Sequence, residues 1–297
     1  MATEVEFNLT IGEVARLTGV NPVTLRAWQR RFGLVTPQRT PKGHRLYSAE
    51  QVEEIKEILH WLEQGVAISR VKPLLKQAAP VVAATVEVDK DWLQLTEGLT
   101  DAVLAMKAVT LRQRLDELTS LYPLPLCGEQ LLQWLIALNS GLAARVDGEL
   151  LRSWLQQQLQ QYLALRCDSV MRQKSRNLLL VSLGEQPDYQ QWLWQLALLA
   201  QNVVPHSFTL ADNLDALSLV SERLQPFAVL ALPAAHTHQS TLSHLDQLAQ
   251  KLAVPIALGG PYAPLLQQAV SELASLTVLD SVTQLATWPA QAKELQL

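Results

Sequence analysis

Residues 10–47 read TIGEVARLTGVNPVTLRAWQRRFGLVTPQRTPKGHRLY, and nearly every position carries a local signal. Thr10 and Glu13 have the T-x-x-E spacing of a capping box, which opens a helix over residues 11–17. Thr18-Gly19-Val20 is a tight turn with Gly19 at the left-handed position. Asn21 caps a second helix, and Pro22 takes its first position, where a missing N–H costs nothing. Gly33 ends that helix. At about 100° per residue, Leu25, Trp28 and Phe32 share one face, Val23, Arg26, Ala27 and Arg30 lie opposite, and Thr24 and Arg31 fall on the flank. Thr36-Pro37-Gln38-Arg39 and His44-Arg45-Leu46-Tyr47, joined by Thr40-Pro41-Lys42-Gly43, form a hairpin pattern. Ser48 and Gln51 repeat the capping-box spacing and open a third helix over residues 49–64, ended by Gly65, with a short helix near 69–77.

Charge gives this segment its chemistry. From Val14 to Ala49 there is no acidic residue, while Arg16, Arg26, Arg30, Arg31, Arg39, Lys42 and Arg45 are all basic. Residues 1–77 hold eleven Lys/Arg against eight Asp/Glu, and the remainder thirteen against twenty, within a chain of net charge −4. A cationic run alone is usually a solvated helix face. Here it coincides with helix, turn and wing in register, so a polyanion is expected to offset its self-repulsion, and duplex DNA fits the shape. The acidic remainder is expected to stay off DNA.

The stretches NPVTLRAWQRRFGLVTPQRT and GHRLY resemble the DNA-binding domain of the MerR family of transcription regulators, and within it the MlrA and CarA/CarH branch. The resemblance spans residues 10–77. It implies a winged helix–turn–helix that acts as a homodimer on a pseudo-palindromic promoter site and distorts promoter DNA for RNA polymerase. It also suggests control of surface-matrix or biofilm genes. On this reading Thr24, Arg26 and Arg30 meet base edges and phosphates, and His44 and Arg45 meet the backbone or minor groove. Arg39 and Lys42 hold phosphates, and Arg16, Asn21, Val23 and Arg31 complete the contact set.

The expected architecture is multidomain, α and α/β: a winged helix–turn–helix over residues 1–77, a linker over 78–88, a helical bundle over 89–175 and a doubly wound, Rossmann-like α/β domain over 176–297. Leu, Gln and Ala dominate the bundle, with breaks near Tyr122-Pro123-Leu124-Pro125 and Asp147-Gly148, which suggests about four helices. Trp134 and Trp154 are read as core or interface residues. From Arg176 onward, short apolar runs at 178–183, 204–210, 228–232, 255–258 and 277–279 alternate with helix patterns at 189–202, 214–223, 242–251 and 262–270. That alternation means a parallel sheet.

This order resembles the cobalamin-binding domain of the CarA/CarH branch, and Gly259-Gly260 after the fourth strand adds to the likeness. The resemblance implies a cobalt-ligating His in a D-x-H-x-x-G motif after the first strand. The segment here reads Glu185-Gln186-Pro187-Asp188-Tyr189-Gln190, with Pro187 in place of the His and Gln190 in place of the Gly. The family's Trp and Glu-His pair correspond best to residues 138–150, which keep Glu149 but have neither His nor Trp. A degenerate domain is expected, with no cobalamin and no other cofactor.

Other chemistry has no motif behind it. Cys127 and Cys167 lie in different segments, which argues against a disulfide framework or zinc site. His236, His238 and His244 read as a polar loop rather than a metal site, since only Asp246 stands at a ligand spacing. No G-x-G-x-x-G, P-loop or G-x-S-x-G occurs, so no catalytic residue is expected and an enzyme carrying a DNA-binding address is the weaker reading. The alternatives for the α/β domain are a small-molecule sensor or a docking site for a regulatory protein, the latter marked by an exposed patch around Trp192 and Trp194. No signal sequence and no 18-residue apolar run is found, so a cytoplasmic protein off the membrane is expected.

Overall fold

The computed structural model describes residues 7–64, 66–75, 90–172, 175–184, 188–210, 213–252 and 254–280, together with 282, 284 and 288. Gly65 and the expected linker over 78–88 lie outside them. Contacts group the chain into two compact units, residues 1–127 and 128–297. Sequence divides the chain after 77 and 175, whereas the boundary between compact units falls between those points.

The first unit runs β1 (Phe7–Thr10), α1 (Ile11–Thr18), α2 (Pro22–Phe32), β2 (Gln38–Arg39), β3 (Arg45–Ser48), α3 (Ala49–Glu63), α4 (Ile68–Leu74), α5 (Lys90–Leu104) and α6 (Ala108–Leu121). Both capping boxes form. Thr10 Oγ1 accepts from the Glu13 N–H at 3.3 Å while Glu13 Oε2 accepts from the Thr10 N–H at 2.7 Å. Ser48 and Gln51 do the same, each at 3.2 Å. Gly19 and Gly33 end α1 and α2 with φ of 72° and 62°, where a side chain would be strained. The three strands pair antiparallel in the order β1-β3-β2. Strand β1 is not expected from sequence: four residues ahead of a capping box carry too short a period to stand out. Trp28, Tyr47, Leu25, Ile55, Ile58 and Ile68 fill the core of the winged helix, all essentially inaccessible to solvent. Helices α5 and α6 contribute Leu95, Leu99, Leu111, Leu115 and Leu118 at three- and four-residue spacing.

In the second unit, α7 (Leu124–Ala143), which starts just before the boundary, leads to α8 (Gly148–Met171). The α/β part follows: β4 (Arg176–Ser182), α9 (Asp188–Ala200), β5 (Val203–Thr209), α10 (Ala216–Leu224), β6 (Ala228–Leu232), α11 (Gln239–Leu252), β7 (Ile256–Leu258), a 3-10 turn (Pro264–Leu266), α12 (Gln267–Ser271) and β8 (Leu276–Val278). Residues 262–270, expected to be one helix, divide into that turn and α12. The five strands are parallel in the order β5-β4-β6-β7-β8. Side chains alternate across the sheet, so Leu178 and Leu180 join Trp194 and Leu198 of α9 on one face. Leu179 and Val181 join Leu217 of α10 and Leu245 of α11 on the other. Helices on both faces make it doubly wound, with its switch point between β4 and β6.

The turn between α7 and α8 rests on one glycine. A Cβ on Gly148 would overlap the carbonyl oxygen of Leu142, a backbone atom that cannot swing aside. Arg145 and Asp147 brace the turn through bonds of 2.8 and 2.9 Å. At an ordinary helical position Gly→Ala gains about 1 kcal/mol from propensity. Here overpacking of about 1–3 kcal/mol opposes it and wins. Gly148→Ala is therefore expected to lower Tm by a few degrees in calorimetry, where propensity alone would raise it.

Candidate nucleic-acid interface

Helix α2 presents two faces, and the structure sorts its residues between them. Val23, Arg26 and Arg30 are exposed, with Val23 at 55 %. Thr24 and Ala27 are only 1 % and 3 % exposed. This corrects the expectation for Thr24, which packs inward and offers nothing to a base, and for Ala27, placed on the outer face by sequence. The spacing explains both. Thr24 stands four residues before Trp28 and Ala27 three after Thr24, so the inner arc spans 24, 27, 28 and 31 as well as 25.

Arg31 belongs to that inner arc. Its Nη1 meets Glu117 Oε1 of α6 at 3.0 Å, and Arg114 meets the other oxygen of the same carboxylate at 3.0 Å. Arg31 is thus directed to α6 rather than to the Arg26–Arg30 face. One helical turn earlier, the Trp28 indole N–H donates to the Leu121 carbonyl at 2.8 Å, fully buried. Asn21 serves as the cap of α2, its Oδ1 accepting from the Val23 N–H at 2.8 Å.

The wing is a short hairpin in which Arg39 pairs opposite Arg45 and Gln38 opposite Leu46. Gly43, at φ 82°, turns the chain, and Thr40 closes the loop by accepting from the His44 N–H through its hydroxyl at 3.1 Å. Arg39, Lys42 and His44 are exposed along it. Arg45 is half-buried, and its Nε donates to Gln29 Oε1 at 3.2 Å, which ties the wing to α2. Burial pushes the Tyr47 phenol up, against the pull of Arg45 and Arg26 nearby, so it remains a neutral anchor at the wing root. Arg16 is exposed in the last turn of α1. Among the described residues, no carboxylate lies within ion-pair distance of Arg26, Arg30, Arg39 or Lys42. Six of the expected contact residues, Val23, Arg26, Arg30, Arg39, Lys42 and His44, thus stand exposed on α2 and the wing with Arg31 beside them in its ion pair, and this arrangement can meet a polyanion.

At the carboxyl ends of the strands, two glycines are packed closely by this chain's own side chains. At the switch point, a Cβ on Gly184 would lie 2.9 Å from the Ala234 Cβ. Gly259 admits an indole: a Cβ there would lie 2.9 Å from Trp194 Cη2 and 3.1 Å from Leu230 Cδ1. The glycine pair that resembles a cobalamin-domain feature is occupied by a side chain of this chain itself. Gln190 is buried where the motif has glycine, and residues 183–190 contain no histidine. Residues 185–187, which carry the proline replacement, lie outside the described residues. These residues do not fit cobalamin. Trp192 and Trp194 are 1 % and 2 % exposed, so they do not form the exposed patch that would favour a docking site for a regulatory protein. His236 and His238 are exposed after β6, while His244 meets Asp215 at 3.1 Å, so the three do not converge. Buried Asp246 instead accepts from the Ser275 N–H at 2.7 Å. Burial pushes the Cys127 thiol up to about 12. No helix among the described residues is long and apolar enough to cross a membrane.

Residues 9–78 match the family described as MerR HTH family regulatory protein. The chain is 32 % identical over 217 residues to the HTH-type transcriptional regulator MlrA of Escherichia coli, covering 65 % of this chain and 80 % of that one. It is 59 % identical over 66 residues to MlrA of Salmonella typhimurium, 22 % of this chain and 27 % of that one. Against the HTH-type transcriptional repressor CarH of Myxococcus xanthus it is 43 % identical over 67 residues, 23 % and 22 % of the two chains. The first of these similarities runs well past the winged helix. The chain belongs to the MerR family of HTH-type transcriptional regulators.

Proposed function

We propose that this regulator binds promoter DNA sequence-specifically as a homodimer, inserting α2 into the major groove and laying the wing on the adjoining backbone. The observation that carries the reading is the exposed, carboxylate-free set Arg26, Arg30, Arg39 and Lys42, on the one rigid face that also shows Val23. Arg26 and Arg30 are placed to read guanine edges or grip phosphates, and Val23 to touch a thymine methyl. Arg39, Lys42 and His44 hold the backbone. One winged helix buries only about 600–1,000 Å², so two half-sites are needed for a specific address. Residues 128–297 set assembly or receive a signal, without catalysis. RNA polymerase is the partner at the promoter, in the cytoplasm. Surface-matrix or biofilm genes are the proposed targets, to be checked by genome-wide mapping of bound sites.

The orientation of α2 yields an ordered series of substitutions. Arg26→Ala and Arg30→Ala should each weaken operator binding by about 1–3 kcal/mol, and the wild-type affinity should fall steeply with salt. Arg31→Ala should cost far less, because its guanidinium is engaged by Glu117. A loss for Arg31→Ala equal to that for Arg30→Ala, in fluorescence anisotropy at fixed salt, would overturn the placement of α2.

Assembly is checked on the whole chain, since a fragment ending at residue 77 would strip Leu121 from Trp28. Sedimentation of the full chain with an operator duplex should give two protomers per site, with two protected half-sites in footprinting. One protomer protecting one half-site would refute the dimer.

The cofactor is tested by gel filtration after incubation with adenosyl- or methylcobalamin. No absorbance should travel with the protein. A stoichiometric red complex would show that Trp194 yields its place over Gly259.

A further inference from the structure

The second unit holds a cavity of about 430 Å³ between α7, the first half of α8 and the start of α9. Sites for small organic molecules occupy roughly 300–1,000 Å³. Leu135, Leu159 and Trp192 form its apolar side, and Glu149, Arg152 and Tyr189 bring polar groups to it. The walls are held in place. The Trp192 indole N–H donates to the Leu159 carbonyl at 3.0 Å, joining α9 to α8. The close approach at Gly148 fixes α8 against the end of α7.

The charges are the informative part. Glu149 and Arg152 stand three residues apart on α8, with Cβ atoms about 5–6 Å from one another. That spacing would allow an ion pair, yet none forms between them or from either to another described residue. Among the described residues, the one bond Arg152 makes is long, from Nε to the Gly148 carbonyl at 3.4 Å. Glu149 lies in the first turn of α8. Glu149 is exposed and Arg152 half-buried, and these two opposite charges, with no ion-pair partner among the described residues, line the same cavity as the apolar wall. Such a set matches a ligand that carries both signs at one end and a flat hydrocarbon at the other.

We propose that this cavity binds a zwitterion with a flat apolar body, of the class of aromatic amino acids and short aromatic peptides. The ammonium group meets Glu149, the carboxylate meets Arg152, and the ring lies against Leu135, Leu159 and Trp192. The idea deepens the reading of this unit as the receiver of a signal, but binding itself requires no DNA.

Calorimetric titration of the full chain with L-tryptophan, tryptamine and indole-3-propionate separates the contributions. L-tryptophan should saturate one site per chain. Tryptamine lacks the carboxylate and indole-3-propionate the ammonium, and each should bind at least about tenfold more weakly. Arg152→Gln should weaken L-tryptophan about tenfold while leaving tryptamine unchanged, and Glu149→Gln should weaken it while leaving indole-3-propionate unchanged. Unliganded Tm should be the same in all three proteins, which excludes misfolding. Absence of saturable binding, equal binding of the three probes, or indifference to both substitutions would overturn the site. Anisotropy on operator DNA with and without L-tryptophan then tests the receiver role separately. Saturable binding with unchanged operator affinity would uphold the site and overturn that role.

Discussion

The burial of Trp28 is the constraint on which the DNA-facing surface depends. Taking an indole out of water removes about 150–250 Å² of accessible surface, and at about 25 cal/mol/Å² this contributes roughly 4–6 kcal/mol. Its N–H would be costly to bury unpaired, and the Leu121 carbonyl satisfies it at 2.8 Å. The neighbouring Arg31–Glu117 pair is part-exposed on both sides, so solvent screening limits it to about 0–1 kcal/mol. The indole, rather than the ion pair, sets the rotational phase of α2. With Trp28 turned inward, 23, 26 and 30 must face outward, and the identity of the groove-facing residues follows from one buried ring.

That phase also organises the electrostatics. Seven basic residues without an acidic neighbour in sequence would repel one another if all stood on one surface. The fold disperses them. Arg31 is drawn off by Glu117, and Arg45 is anchored by Gln29 at the base of the wing. What remains exposed without an ion pair among the described residues is, on α2, Arg26 and Arg30, one turn apart, and on the wing Arg39 and Lys42. Release of counterions from DNA is therefore carried by few residues, each at a defined place, which makes their individual substitution informative.

The winged helix was legible because its signals are local. Thr10 and Glu13, Asn21 and Pro22, Ser48 and Gln51 each act within three residues, so their spacing in sequence is their geometry in space. Alternation of apolar runs and helix patterns likewise reveals the parallel sheet, since the central strands β4, β6 and β7 are largely buried on both faces. What escaped depends on distant partners. Glu117 is 86 positions from Arg31, and Leu121 is 93 from Trp28, and no local pattern announces either. Thr24 is a different case: its position four residues before Trp28 put it on the inner arc, and only its polarity argued otherwise. The tryptophans of α9 stay open in the sequence, because aromatic residues suit a surface patch and a core equally well until the sheet face they cover is known.

Gly259 shows how a glycine at a strand end can serve packing within the chain itself. A glycine beside a strand end often marks the close approach of a cofactor, and here it marks the close approach of Trp194. Filling the crevice with an indole stabilises the sheet by the same burial that a bound ring system would supply, but permanently and without a concentration dependence. The cavity beside α8, where Glu149 and Arg152 keep charges that the fold does not use, is where the unit retains free capacity for recognition.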